Sequence, residues 1–278
     1  MASDEELSDD EDVEAWLNPL KLPTKEQLMC KSTGKQLLFL LQLYAPLDDD
    51  HPNQTTAFHR AILLFVTPKG SAVCKPGGVR ALRCQLPRRN ALYPYHAPGD
   101  TDLLPPAVQL VVEAEERDSP EAEAAMSKLM MAYKDKVGQE GELSEEELPE
   151  EVLQQVEEAV PLEQRHFAMF QARMALAPDQ VVRYCFQPGA HPLWPRPEPQ
   201  PSTADIPACP LCGEPRQFEF QVLPQLLNHL GQDDLDEDAL DWGTLAVYSC
   251  SASCSTEALE AQTGSAYAEE FVWAQPSA

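Results

Sequence analysis

The chain has 278 residues, of which 43% are hydrophobic, so it can bury a core as one large or two small domains. Its 46 acidic and 20 basic residues give a formal net charge of -26, which disfavours nucleic acids and anionic membranes and favours basic protein partners. No signal-peptide pattern and no apolar run of roughly 18 residues is present, so we expect a soluble cytoplasmic protein that also enters the nucleus.

The first half of the chain predicts an acidic tail followed by a small antiparallel sheet. Residues 1–14 contain eight acids and no base, so we expect them to be disordered. Apolar residues on both alternating faces over 36–47 predict a strand buried on both sides. The segments 58–67 and 79–86 predict two partner strands. These strands belong to an N-terminal half that we place at 15–112.

An acidic insert is expected to separate the two halves of the fold. Residues 113–163 contain 17 acids and four bases, which is typical of a solvated segment. Short helices are predicted at 122–136 and 145–158 because Glu, Ala, Leu, Met and Gln favour helix. We expect this span to form an insert or linker.

The C-terminal half, 164–275, begins with a predicted helix. Phe167, Phe170 and Met174 recur at helical spacing, which predicts a helix over 164–176 with one buried face. A strand is expected at 180–186.

Two cysteine pairs indicate a metal site in this half. Cys209 and Cys212 form a C-x2-C-G turn, whereas Cys250 and Cys254 form a C-x3-C pair at the end of a strand-like run. Four thiolates at such spacings are typical of one structural Zn²⁺ in a zinc-ribbon-like hairpin, here with a Leu-rich helix candidate and an acidic loop over 223–241 between the pairs. The alternatives are a disulfide framework or free core thiols. A reducing compartment disfavours the disulfides.

No catalytic site is evident from the sequence. The six histidines occur outside any metalloprotease or nucleophile motif, and a closed four-cysteine site leaves no position for an activated water. We therefore expect a protein that is not an enzyme and has no catalytic residues or organic cofactor. The basic cluster of Arg80, Arg83, Arg88 and Arg89 lies in a strongly acidic chain, so direct nucleic-acid binding is not expected.

Several motifs resemble the programmed cell death protein 2 family. They run in the same order as in that family: FLLQLYAPL (39–47), FHR (58–60), IPACPLCG (206–213), RQFEFQ (216–221) and DWGT (241–244). The resemblance implies an α+β, β-rich fold of two related antiparallel-sheet halves. It also implies a dedicated chaperone that binds a basic small-subunit ribosomal protein, of the universal S-five type, and supports 40S ribosome biogenesis.

The alternative function is a zinc-ribbon protein-interaction adaptor in the cytoplasm or nucleus, without a ribosomal client. In either case we expect a monomer that does not bind membranes.

The N-terminal half departs from the family pattern. Thr33 stands where the resemblance implies a second thiol after Cys30, and no cysteine follows Val66 until Cys74. We therefore expect Cys30, Cys74 and Cys84 to bind no metal. The resemblance implies another strand before the segment that contains Trp16, whereas this chain begins close to that segment. We therefore also expect one edge of the sheet to be open.

Overall fold

A computed structural model of the chain describes residues 23–88, 162–230 and 238–277, and most of this part is antiparallel sheet. The strands are β1 (Leu38–Tyr44), β2 (His59–Val66), β3 (Val79–Leu86), β4 (Val182–Tyr184), β5 (Arg216–Val222), β6 (Thr244–Cys250) and β7 (Ala268–Gln275). The helices are α1 (Leu162–Leu176) and α2 (Glu257–Thr263), with short 3-10 helices at Gly70–Ala72 and Pro224–His229. None of the helices described is long and apolar enough to cross a bilayer.

All seven strands belong to one sheet in the order β1-β2-β3-β7-β6-β5-β4. Strands β3 and β7 join the N-terminal and C-terminal strands through a short antiparallel register from Ala81↔Glu270 to Arg83↔Ala268. The expectation of a β-rich, antiparallel fold is therefore confirmed.

The main core takes side chains from both ends of this strand order. Leu41 of β1 and Ile62 of β2 share one cluster with Phe220 of β5 and Leu245 of β6, around the fully buried Trp242. Because strands far apart in the order share a core, the sheet curves round on itself as a half-barrel. Burying this apolar surface is the main source of stability for such a fold.

The helix predicted over 164–176 is confirmed as α1. Phe170 and Met174 are buried against Leu223, and Leu193 packs at the same cluster. The helical spacing of these apolar residues therefore marks the face that the helix turns towards the sheet.

The Leu-rich segment after β5 forms the 3-10 helix Pro224–His229 instead of the expected longer helix. Of its residues only Leu226 is buried, so the segment lacks the repeated apolar face that stabilises an α-helix.

Strand β1 differs from the prediction, because it lies at the edge of the sheet that the described strands form and is not buried on both faces. Leu38 is 51% exposed, and Phe39 and Tyr44 are each 58% exposed. An apolar run in the sequence cannot distinguish a central strand from an edge strand, since that depends on which other strand pairs with it.

The acidic tail 1–14 and the two helices predicted within the insert, 122–136 and 145–158, lie outside the described residues.

Candidate metal centre

Four cysteine thiols meet at one end of the sheet. The Sγ atoms of Cys209, Cys212, Cys250 and Cys254 all lie within 4.8 Å of one another. The Sγ atoms of Cys212 and Cys250 lie 3.5 Å apart, and those of Cys209 and Cys254 lie 3.7 Å apart. It is the one group of potential metal ligands of this kind within the described ranges.

The strand register brings the two cysteine pairs together. Arg216 at the start of β5 lies opposite Cys250 at the end of β6, so the turn before β5 adjoins the turn after β6. In the first turn, Gly213 N–H donates to the Cys209 carbonyl at 2.9 Å, and Gly213 has a φ of 80°. Glycine adopts this left-handed conformation without a steric cost, which explains the glycine of the C-x2-C-G motif.

These thiols are not paired as disulfides. All eight cysteines of the chain are free, and Sγ–Sγ distances of 3.5 Å and 3.7 Å far exceed the ~2.05 Å of an S–S bond. A hydrogen bond from Cys254 lowers the pKa of the Cys250 thiol to about 4, and the Cys250 thiolate raises the pKa of Cys254. The arrangement is compatible with a metal ion, because thiols that share protons in this way become ligands when the protons leave.

The cysteines of the N-terminal part occupy different surroundings. Burial raises the pKa of the Cys74 thiol and of the Cys84 thiol to about 11 each. Burial also acts to raise the pKa of Cys30, but hydrogen bonds from Ser32 and Thr33 outweigh it and lower the pKa to about 7. Neither Cys74 nor Cys84 belongs to a group of three or more potential metal ligands among the described residues.

A second turn of the same shape precedes β1. Gly34 N–H donates to the Cys30 carbonyl at 2.9 Å, and Cys30 N–H donates to the Lys35 carbonyl at 2.8 Å. The corresponding bonds of the metal-centre turn, from Gly213 to Cys209 and from Cys209 to Glu214, are 2.9 Å and 2.8 Å long. The two turns thus have the same backbone conformation, with Thr33 at the position that Cys212 takes in the metal-centre turn.

A buried ion pair lies beside the cysteine cluster and connects β2 with β5. The Arg60 guanidinium donates to both carboxylate oxygens of Glu219, at 2.5 Å and 2.8 Å, and both side chains are fully buried. Burial by itself lowers the pKa of Arg60, but the Glu219 charge outweighs this effect and raises it. The Arg60 guanidinium therefore stays charged, as a bidentate guanidinium–carboxylate contact requires.

The remaining polar atoms of this pair are also satisfied. Arg60 Nε donates to Ser253 Oγ at 2.8 Å, one guanidinium nitrogen donates to the Ala45 carbonyl at 3.1 Å, and the group lies 5.1 Å from the centre of the Phe186 ring. Ser249 donates to Glu219. Because Ser253 lies between Cys250 and Cys254, Arg60 also fixes the second cysteine turn.

Glu270 on β7 links both cysteine turns through two arginines. Arg83 Nε and Arg216 Nε donate to its two carboxylate oxygens at 2.7 Å and 2.9 Å. Arg83 also donates to the Cys254 carbonyl at 3.0 Å and approaches the Cys254 Sγ at 3.8 Å. Arg216 donates to the carbonyls of Pro207 and Ala208, at 2.8 Å and 3.0 Å, immediately before the first turn.

The loop between β1 and β2 braces the second cysteine turn from the other side. Asn53 Nδ2 donates to the Ala252 carbonyl at 2.7 Å, and His51 Nε2 donates to the Ser251 carbonyl at 3.2 Å. Asn53 N–H donates to His51 Nδ1 at 3.1 Å, which matches the neutral imidazole with its proton on Nε2. The N-terminal strands and loops therefore supply the outer shell of the cysteine cluster.

Sequence reasoning found the four cysteines but missed this polar shell. The sequence places Arg83 in a basic cluster, whereas the structure buries it completely and pairs it with Glu270. Arg80 is 5% exposed, and its Nε lies 3.6 Å from Glu269. The available signal was the position of single charged residues within apolar strand runs, since a charge inside a sheet needs a partner of opposite sign.

Comparison with known proteins identifies the family. The profile of the programmed cell death protein 2 N-terminal domain matches residues 12–100, and that of its putative C-terminal domain matches residues 164–276. Mouse programmed cell death protein 2 is 33% identical over 330 aligned positions, which cover 94% of this chain and 88% of the relative. This chain belongs to the programmed cell death protein 2 family.

More distant relatives match shorter parts of the chain. Chicken programmed cell death protein 2-like is 39% identical over 89 residues, covering 32% of this chain and 22% of that protein. A probable 20S rRNA accumulation protein 4 of Schizosaccharomyces pombe is 34% identical over 70 residues, covering 25% and 16%. No solved structure matches the chain.

Proposed function

We propose that this protein is a non-catalytic chaperone that holds one basic small-subunit ribosomal protein, of the universal S-five type, before its assembly into the 40S subunit. Family membership and the similarity to a fission-yeast protein named for 20S rRNA accumulation support a role in ribosome biogenesis. The identity of the client and the chaperone activity are proposed in addition to that role. In this proposal the protein works as a cytoplasmic and nuclear monomer that binds neither RNA nor membranes directly.

The distribution of charge is the observation that carries this proposal. The described residues contain 16 of the 46 acids and 14 of the 20 bases, and are therefore almost neutral. The other 30 acids and six bases lie in 1–22, 89–161, 231–237 and the last residue. Acidic segments attached to a nearly neutral body suit a basic partner, because they raise its association rate and mask its positive charge.

Zinc is the ion that we propose for the cysteine cluster. A tetrahedral site with Zn–S bonds of ~2.3 Å has Sγ–Sγ edges of about 3.8 Å. The 3.5 Å and 3.7 Å separations lie close to that value, and four thiolates suit a soft ion. Cys209, Cys212, Cys250 and Cys254 would hold one structural ion, leaving no open position for chemistry.

We further infer that the parts before and after the acidic insert are related halves, each with a cysteine turn before its first long strand. The matching hydrogen bonds of the two turns support this, as do the register shifts after Phe39 in β1 and after Phe218 in β5. In this reading the second half carries a zinc-ribbon-like hairpin, and the first half has the same hairpin without the full ligand set.

A binding experiment with the insert removed tests the chaperone proposal. Residues 113–158 are deleted or, as a matched control, replaced by a neutral Gly/Ser segment of equal length. Binding of the purified ribosomal protein is measured at several salt concentrations. We expect both variants to fold, to bind more weakly than the intact chain, and to depend less on salt, because charge contacts are screened by ions.

The same experiment separates the two candidate functions. Unchanged affinity and salt dependence in both variants would make the insert a spacer. If the intact chain does not bind the ribosomal protein, and its depletion leaves 40S levels unchanged, the zinc-ribbon adaptor without a ribosomal client becomes the better description.

A further inference from the structure

Strand β1 presents an unpaired edge. It pairs only with β2 among the described strands, so the opposite side of its backbone has no strand partner there. Three of the five strongly exposed large hydrophobic residues of the described part, Leu38, Phe39 and Tyr44, lie on this one strand. A fourth, Tyr184, lies on β4 at the other edge of the sheet. Exposed apolar edge strands readily pair with another extended chain.

The strand register shows which backbone groups face outwards. Ala45 N–H donates to the Arg60 carbonyl at 2.9 Å, so Ala45 points its backbone groups towards β2. Residues of an antiparallel strand alternate in this respect, so Leu43 also points towards β2 while Gln42 and Tyr44 point away from it. Gln42 is exposed. Among the described strands, the backbone N–H groups of Gln42 and Tyr44 have no partner and are available to a further strand.

Negative charge lies at the C-terminal end of this edge. Asp48, Asp49 and Asp50 follow β1 and are exposed, and none forms an ion pair with the residues that the structure describes. On the N-terminal side of β1, in the turn of residues 30–34, Lys31 is paired with Glu269 at 3.8 Å.

Within the described residues, the junction between the N-terminal and C-terminal strands is buried. It is filled by the shared apolar core and by the buried pair of Arg60 and Glu219. An apolar client segment therefore has better access to β1 than to this junction.

We propose that the outer edge of β1 binds an extended segment of the basic client by strand addition. Backbone hydrogen bonds to Gln42 and Tyr44 would give affinity, while Leu38 and Phe39 would contact apolar side chains of the segment. Lysine or arginine residues of the segment would face Asp48–Asp50. The identity of the partner rests on the proposed function, whereas the place of binding rests on the geometry of β1.

The test is a proline substitution that removes one outward N–H. Gln42→Pro leaves the β1–β2 ladder intact, since proline is tolerated on an edge strand where its nitrogen faces solvent. Gln42→Thr is the matched control, because it changes the side chain and keeps the N–H. Using the full chain and the purified ribosomal protein of the S-five type, we expect Gln42→Pro to raise the Kd by about tenfold or more and Gln42→Thr to leave it within about twofold.

A second pair of variants keeps the test valid if the proline variant does not fold. Leu38→Lys places a like charge against a basic segment, whereas Leu38→Glu places an opposite charge at the same exposed position. We expect the lysine variant to bind more weakly than the glutamate variant. Hydrogen exchange should also show slower exchange of the Gln42 and Tyr44 amides when the client is bound.

The possible outcomes separate this inference from the proposed function. No binding of the ribosomal protein to the intact chain would overturn both. Intact binding that Gln42→Pro and Leu38→Lys leave unchanged would overturn the β1 site alone. The site would also be refuted if Gln42→Pro converts a dimer of this chain into monomers, or if removing residues 1–22 exposes β1 amides that are protected in the free chain.

Discussion

The turn at residues 209–213 and the turn at residues 30–34 have the same backbone conformation, but different contacts stabilise them. At 209–213 the turn adjoins Cys250 and Cys254, so four thiols converge. At 30–34 the turn has a single thiol, and Cys30 packs in an apolar cluster with Leu37, Phe65, Leu82 and Tyr267. A hairpin turn can therefore persist without a full ligand set when side-chain packing stabilises it.

The segments that follow β2 and β6 show the same contrast. Strand β6 ends at Cys250 and is followed by Cys254. After β2 the chain is held by Asp238, which accepts from Ser71 N–H and Oγ at 3.1 Å and 2.8 Å and pairs with Lys69 at 3.3 Å. A Cβ at Gly70 would lie 1.7 Å from the Ala239 carbonyl oxygen, so only glycine permits this close contact. Hydrogen bonds across the fold secure one segment, and thiols can secure the other.

Loss of a metal ligand should have the largest effect. We expect Cys209→Ser to lower the free energy of unfolding by several kcal/mol, because metal-binding free energy is largely folding free energy in such sites. Denaturant unfolding and metal analysis provide the measurement, with about one zinc ion expected per intact chain. Cys185→Ser, outside the cluster, is the matched control. A folded, metal-free chain whose free energy of unfolding does not change when a chelator is added would contradict the zinc assignment.

Breaking the buried pair should have the next largest effect. Glu219→Gln keeps the shape of the side chain but leaves the Arg60 charge unpaired, so we expect a loss of about 3–5 kcal/mol in urea unfolding. Replacing both residues, as Arg60→Met with Glu219→Leu, should recover part of that loss. If the single variant is as stable as the parent chain, the pair does not connect the N-terminal and C-terminal strands as the structure indicates.

Removing the loop brace should have a moderate effect. Asn53→Ala deletes the hydrogen bond to the Ala252 carbonyl, which is worth about 1 kcal/mol. Loss of such an outer-shell contact should also weaken metal binding by about tenfold, as measured by competition with a chelator. Gln54→Ala, one residue further on, should change neither quantity. Equal effects of the two variants would argue against a specific brace.

Adding a second thiol to the turn at residues 30–34 should have the smallest effect. Thr33→Cys places a second thiol near Cys30, but two thiolates rarely hold zinc without further ligands. We expect still one zinc ion per chain and a change in stability within about 0.5 kcal/mol. A second equivalent of zinc in this variant, measured by elemental analysis, would show that the first half needs only one additional ligand.

The sequence by itself determined the local features of this protein. Apolar periodicity predicted α1, β2 and β3 because side-chain patterning follows the period of each element. Cysteine spacing located both turns of the candidate metal centre, since a C-x2-C-G turn encodes its own geometry.

Only the tertiary structure decided which surfaces are inside. The sequence did not show that β1 lies at an edge, or that Arg60, Arg83, Glu219 and Glu270 lie in the interior around the cysteines. These outcomes depend on pairing between β3 and β7, whose register joins residues nearly 190 positions apart. Local propensity carries no information about such distant partners, because the free energy that selects them comes from burial of the assembled core.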